Sequence, residues 1–264
     1  MRRYLTITKN STIAGMIYRV HYLFTVFANI MFIVLTYFLW KAIYKNSDGT
    51  LNGMTFEEVF IYLALASSIT CLFQTWTEYD MSRNILSGAI IRDLTKPLDH
   101  QMLTLFGVMG FVANNLVTIT LPSMVLIYII AGSHITLGFN ILFFALALFL
   151  AFLITFTIDY SIGLVSFYTE SIWGVSITKG VIIGILSGAV IPLNFFPGAL
   201  RSIVELLPFQ AIYNTPLTIL LSKDMGVENY IYLIVNQIFW VVVLFTFSRL
   251  FYRKAVKVIT VNGG

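Results

Sequence analysis

The chain is 264 residues long, with 58% hydrophobic residues, only 11% charged residues, a formal net charge of +4 and a mean hydropathy of +0.88. A soluble fold of this length needs far more polar surface than that, so the composition excludes one and leaves an integral membrane protein. Cys71 is the single cysteine, which excludes an intrachain disulfide and a thiolate metal site.

Nearly all the charges lie between uncharged runs. Tyr22–Trp40, Val59–Thr77, Gly180–Leu200 and Asn229–Ser248 hold 19 to 21 residues each. At about 1.5 Å rise per residue, each matches the roughly 30 Å hydrocarbon layer. A fifth run, Gln101–Ile158, has no Asp, Glu, Lys or Arg and is too long for one crossing. It must turn back, and the small and polar residues Ala131-Gly132-Ser133-His134 are the cheapest place. Because lipid offers the backbone no hydrogen-bond partners, continuous apolar runs select helices over a barrel. The expectation is a single all-α membrane domain, residues 1–264, with six transmembrane helices.

Residues 1–21 carry Ile13, Ile17 and Val20 at helical spacing, with Met16 beside them, and the cations Arg2, Arg3, Lys9 and Arg19. That pattern predicts an interfacial helix in the headgroup layer, serving as an anchor or as a lever on the first span. The first two spans follow at 22–44 and 57–77. The connection Glu78–Gln101 places Leu86, Ile90 and Leu94 at i, i+4 and i+8, which predicts a cytoplasmic amphipathic helix over 82–98 that Pro97 stops. It is either a plain loop element or a docking element for a soluble partner. Spans three and four are expected at 103–131 and 137–166, and span five at 174–192.

Four of the six prolines, Pro192, Pro197, Pro208 and Pro216, fall between Ile191 and Glu228. A segment so interrupted makes a poor crossing, and 197–224 is expected as a re-entrant hairpin in the outer leaflet. Span six takes 229–250, and 251–264 is a cytoplasmic tail. With six crossings and a cytoplasmic N-terminus, twelve of the sixteen Lys and Arg lie inside and only Lys41, Lys45, Arg201 and Lys223 outside. The basic excess therefore records topology and not nucleic-acid binding. A cleavable signal peptide is not expected, because Trp40-Lys41 follows the first run where a small-residue cleavage site would stand.

His21, His100 and His134 fall at three different membrane boundaries and are read as ordinary interfacial residues. Glu78, Asp80, Asp159 and Glu170 are expected at the cytoplasmic boundary as solvated carboxylates, with partner contacts or a cation-attracting entrance as the alternative. Charges are absent from the centres of the assigned spans, which disfavours a proton-coupled carrier. Phe195, Phe196, Phe209, Tyr213 and Trp240 are candidates to line a pathway for an apolar or cationic substrate, or else to pack or face lipid.

The order of these elements resembles the membrane subunit of type-2 ATP-binding-cassette exporters. The stretches that carry the resemblance are GAIIRDLTKPL (88–98), SFYTESIWG (166–174), SGAVIPLNFFPGAL (187–200) and LPFQAIYNTP (207–216). It covers essentially the whole chain. The resemblance implies a half-pathway that pairs with a second permease subunit, the same or a homologous chain, and engages separate ATP-binding-cassette ATPase subunits. It implies that Ile85, Leu86, Gly88, Ile90, Arg92, Asp93, Leu94, Lys96 and Pro97 couple to the ATPase. Pro192, Phe195, Phe196, Pro197, Pro208, Phe209, Tyr213 and Pro216 would form the re-entrant outer gate.

The chain lacks a G-x-x-x-x-G-K-[ST] sequence, and GVSITKG (174–180) is not one. ATP and Mg are accordingly expected on the partner ATPase, with no cofactor, metal or catalytic residue here. The expected setting is the plasma membrane, with both termini cytoplasmic and lipid as a further partner. An ion-coupled carrier, a membrane enzyme and a non-transporting scaffold are the other classes weighed. The enzyme would need a cluster of His, Asp, Glu or Cys at one depth, which the sequence does not offer.

Overall fold

The computed structural model describes residues 1–17, 19–47, 49–131, 138–222 and 225–258. The turn expected at Ala131-Gly132-Ser133-His134, with His134 itself, lies outside them apart from the helical backbone of Ala131, as does Lys223. Among the described residues the fold is all-α apart from one two-stranded ribbon. Five helical spans among them, two of them interrupted, are long and apolar enough to cross a bilayer: Val20–Tyr44, Phe56–Leu86, His100–Ile130, Asn140–Phe167 and Val227–Val258.

Helix α1 (Arg2–Gly15) lies along α6 (His100–Asn115), held by more than its apolar stripe. Thr8 Oγ1 donates to the Phe106 carbonyl at 2.8 Å, Asn114 Nδ2 donates to the Thr12 carbonyl at 2.6 Å, and Tyr4 stacks on Phe106. The two backbones meet at Gly110, where a Cβ would stand 2.6 Å from the Thr8 carbonyl oxygen, so a side chain there would push α1 away. The helix expected over 1–21 stops at Gly15: Ile13 lies on α1, Ile17 lies beyond its end and Val20 belongs to the next helix, Arg19–Tyr44, all three exposed. The face of α1 turned to α6 is polar and small.

Helix α2 (Arg19–Tyr44) leads to a hairpin, β1 (Thr50–Leu51) and β2 (Met54–Thr55), closed by Asn52 and Gly53 at positive φ. That turn matches the twist of a two-residue hairpin and fixes where the next helix starts. Thr55 and Glu58 then form a reciprocal capping box on α3 (Phe56–Phe73). Helix α3 is the most enclosed of the bundle, with Ser68, Ala66, Ile69 and Val59 fully buried. It stops at Phe73, and the chain resumes as α4 (Thr77–Leu86).

The continuous helix expected over 82–98 is not formed. Helix α4 ends at Leu86, Gly88 takes φ +72, and a single turn, α5 (Ile91–Leu94), follows. Glycine at the left-handed position closes a helix end, so Leu86, Ile90 and Leu94 fall on separate pieces and share no stripe. Ile90 alone among them is buried, at 3% exposure, while Leu86 points outward.

Span three is also interrupted. Between α6 and α7 (Leu121–Ala131) the chain makes a π-turn, Leu116–Thr120. Pro122 supplies the reason. It has no N–H to give the ladder, and the wider turn just upstream absorbs the mismatch without breaking the span.

Helix α8 (Asn140–Leu164) forms the bundle's centre, packed by α12 (Val227–Ala255) on one side and α4 on another. Gln237 on α12 donates to the Ala147 carbonyl of α8 at 3.1 Å and to the Ala211 carbonyl at 2.8 Å, stitching three segments together. Helix α9 (Trp173–Leu186) has 14 residues, shorter than the span expected over 174–192, and at about 1.5 Å per residue it reaches roughly 21 Å. Beyond it come α10 (Gly198–Glu205), a 3-10 turn at Pro208–Ala211 and α11 (Asn214–Leu221). The prolines sit where they cost least. Pro197 precedes α10, Pro208 opens the 3-10 turn and Pro216 lies in the first turn of α11, where its missing N–H would have had no partner.

Candidate functional site: a buried ion triad at the break in span two

The break between α3 and α4 is a structured joint. Trp76 adopts the left-handed conformation at φ +55, which a non-glycine residue holds only when its surroundings impose it. The last carbonyls of α3 are left without helical partners, and Asn115 of α6 reaches across to them. Its Nδ2 lies 3.2 Å from the Cys71 carbonyl oxygen and 3.3 Å from that of Gln74. A neighbouring side chain thus does what a helix continuation would have done.

Glu78 stands in the first turn of α4, immediately past this joint, where the helix dipole favours a carboxylate. Its Oε1 accepts from Lys179 Nζ at 2.5 Å and from Ser176 Oγ at 2.9 Å, both on α9. Lys179 Nζ also donates to Asp159 Oδ1 of α8 at 2.7 Å. Glu78 and Asp159 are each 5% exposed, so the expectation of solvated boundary carboxylates is corrected for these two. The cause is convergence. Helices α4, α8 and α9 meet at one depth, and buried ions persist only when paired and hydrogen-bonded. Asp80, by contrast, faces outward with Arg83 at 3.6 Å, and Glu170 is exposed.

The triad sits in the wall of a cavity of about 610 Å³ between α2, α3, α8 and α9. Asn29, Thr70, Cys71, Trp76 and Tyr213 contribute to the same wall, and most of the rest is apolar. With two carboxylates to one ammonium, the triad carries a formal charge of −1.

The two groups of sequence-predicted residues fall apart from each other. Gly88, Ile90, Arg92, Asp93, Leu94, Lys96 and Pro97 form the corner after α4, with Lys96 paired to Asp93 at 2.7 Å. Ile85 precedes that corner, partly buried against the core, and Leu86 is exposed. Asp99 just beyond caps α6 through Met102 N and pairs with Arg249 near the end of α12. Toward the other end of α3, Phe195 packs edge-on against Trp40 with centroids 5.1 Å apart, Pro192 is buried, and Phe196 and Phe209 are half-buried. Tyr213, expected with them, instead packs on Phe73 at the joint and shares the cavity with Lys179. Trp240 lies on α12 against Phe239. Of the histidines, His100 is buried, with Nδ1 3.0 Å from Tyr160 Oη and its ring stacked on Tyr252.

Over residues 30–263 the chain matches the family described as ABC-2 family transporter protein. The chain belongs to that family. It is thus a multi-pass membrane protein of the ABC-2 transporters, and the match runs across the triad, the joint and the corner together. None of the curated proteins matches it. The triad ties the segment leading to the exposed corner to the cavity wall. Reading the sequence missed it, along with Asn115. The available signal was that Glu78 and Asp159 each close an uncharged run and Lys179 stands immediately before another.

Proposed function

We propose that the chain is the permease subunit of an ATP-driven exporter in the plasma membrane, forming half of a translocation pathway. Separate ATPase subunits, which hold ATP and Mg, engage the corner at Ile85–Pro97, and a second permease, the same or a homologous chain, completes the pathway. The five long helices and α9 make six crossings, with both termini cytoplasmic. The α10–α11 pair is the re-entrant element, and Pro192, Phe195, Phe196, Pro197, Pro208, Phe209, Tyr213 and Pro216 shape its passage toward the outer face.

The observation that carries this reading is the Glu78–Lys179–Asp159 triad. A displacement of the corner moves α4, and α4 cannot move without carrying or breaking its ion pairs to α8 and α9. ATP binding drives the change only to the extent that it favours one of the two arrangements over the other. The family match over residues 30–263 favours this over an ion-coupled carrier.

The test is affinity purification in mild detergent followed by mass spectrometry and ATPase assay. Recovery of a Walker-motif ATPase whose turnover depends on this chain is the expected result. A chain that purifies alone and moves solute without nucleotide would overturn the reading.

A further inference from the structure

The two ends of α6 are pinned at nearly the same depth. At its start, Gln101 Nε2 donates to Ser248 Oγ of α12 at 2.7 Å, and His100 Nδ1 lies 3.0 Å from the hydroxyl of Tyr160, the residue after Asp159. At its end, Asn115 holds the Cys71 and Gln74 carbonyls, just before the joint that leads to Glu78. Glu78 and Asp159 share the Lys179 ammonium, so the two anchor points differ in depth by about one helical turn, or ~5 Å. The 16 residues of α6 reach about 24 Å. A helix of that length between such points lies closer to the membrane plane than to its normal. The crossing itself starts at the π-turn, where Thr120 Oγ1 donates to the Ser68 carbonyl and the chain runs beside α3.

Glu78 and Asp159 each close an uncharged run and Lys179 precedes another, so this depth is the edge of the hydrocarbon layer. Helix α1 follows α6 along it in parallel. The Tyr4 hydroxyl accepts from Asp99 N at 3.1 Å at the head of α6, and Thr8 and Thr12 meet Phe106 and Asn114 further on.

The surface of α1 turned away from α6 combines two kinds of side chain. Arg2, Arg3 and Lys9 are exposed there, and so are Leu5 and Ile13. Among the described residues none of these three cations has an ion pair. Neither α1 nor α6 contains an acidic residue, and the first in the chain is Asp48, beyond the 26-residue α2. Asp99 is already taken by the cap of α6 and by Arg249. The positive charge of α1 is therefore unbalanced within the chain.

We infer that α1 is a docking surface for anionic phospholipid headgroups, with Arg2, Arg3 and Lys9 on the phosphates and Leu5 and Ile13 among the first acyl carbons. An acidic protein surface would balance the cations but leave Leu5 and Ile13 without an apolar partner, whereas the headgroup layer takes both. The assignment requires only that the chain is embedded in a membrane, and it is independent of ATPase coupling.

Hydrogen exchange over residues 2–15 is measured on the full chain in nanodiscs of phosphatidylcholine alone and of phosphatidylcholine with phosphatidylglycerol. Phosphatidylglycerol should slow exchange along α1 about tenfold at low salt, and about 0.5 M salt should remove the difference. The triple variant Arg2→Gln, Arg3→Gln, Lys9→Gln keeps the contacts to α6, which use none of those side chains, and should lose the response. Nitroxide labels on Thr6→Cys and Ile13→Cys, each in a Cys71→Ala background, should report equal depth, where a helix along the normal would separate them by about 10 Å. Equal exchange in the two lipids, a full response in the triple variant, or a depth difference near that value would overturn the assignment. So would loss of a co-purified ATPase from the triple variant without any lipid response, which would give the cations to a protein surface.

Discussion

Lys179 Nζ lies 2.5 Å from Glu78 Oε1, joining α9 to the first turn of α4 across the break in span two. Glu78 is the second residue of the segment that continues to the exposed corner, and Lys179 sits in the wall of the cavity. One ion pair therefore connects the segment leading to the exposed corner to the cavity, and Asp159 anchors the same ammonium to the central helix.

Removing the cation should cost more than removing the whole triad. Lys179→Met leaves two buried carboxylates facing each other and should destabilise the protein by about 3 to 5 kcal/mol. The triple variant Lys179→Met, Glu78→Gln, Asp159→Asn should recover most of that loss, read from thermal unfolding in detergent. If the single and triple variants melt together, the triad is not a coupled ionic unit.

Asn115→Ala strips the carbonyls at the end of α3 of their amide partner. The expected loss is about 1 to 3 kcal/mol, with hydrogen exchange accelerating at residues 71–77 and not along α8. Uniform acceleration across the bundle would show that Asn115 does not act locally on the joint.

Gly110→Leu should lever α1 from α6, since even a Cβ there meets the Thr8 carbonyl. Spectroscopic labels on α1 and α6 should move apart while the five long helices keep their helicity. Under the proposed function, such a variant reports whether α1 transmits motion or only anchors.

The corner can be probed without touching the core. Arg92 is exposed on α5, so Arg92→Glu should leave folding within about 0.5 kcal/mol of wild type and lower substrate-dependent ATPase turnover. Gly88→Pro forces a negative φ where the chain holds +72, and should break the corner itself. Normal transport in both variants would remove the corner from the coupling route.

Much of the architecture was legible because membrane insertion is governed by a one-dimensional quantity, the length of an uncharged stretch. The runs at 22–40 and 229–248 each fall within one long apolar helix, while that at 59–77 covers α3 and the joint after it. Where span ends depend on backbone details, the reading was weaker. The left-handed Gly88 split the expected 82–98 helix, and α9 stopped at Leu186, short of the expected 192. The Asn52-Gly53 pair, by contrast, carries its hairpin-turn signature in the sequence itself.

By itself, the sequence determined that the chain is membrane-embedded and helical, and it carried the resemblance that the family match then established. Tertiary structure alone decided that Glu78, Asp159 and Lys179 share one buried cluster and that Asn115 closes the end of α3. The reason is distance along the chain. Glu78 and Lys179 stand 101 residues apart, and no local periodicity encodes such a pairing. Only the convergence of separate helices at one depth turns charges at three run-ends into a single interacting group.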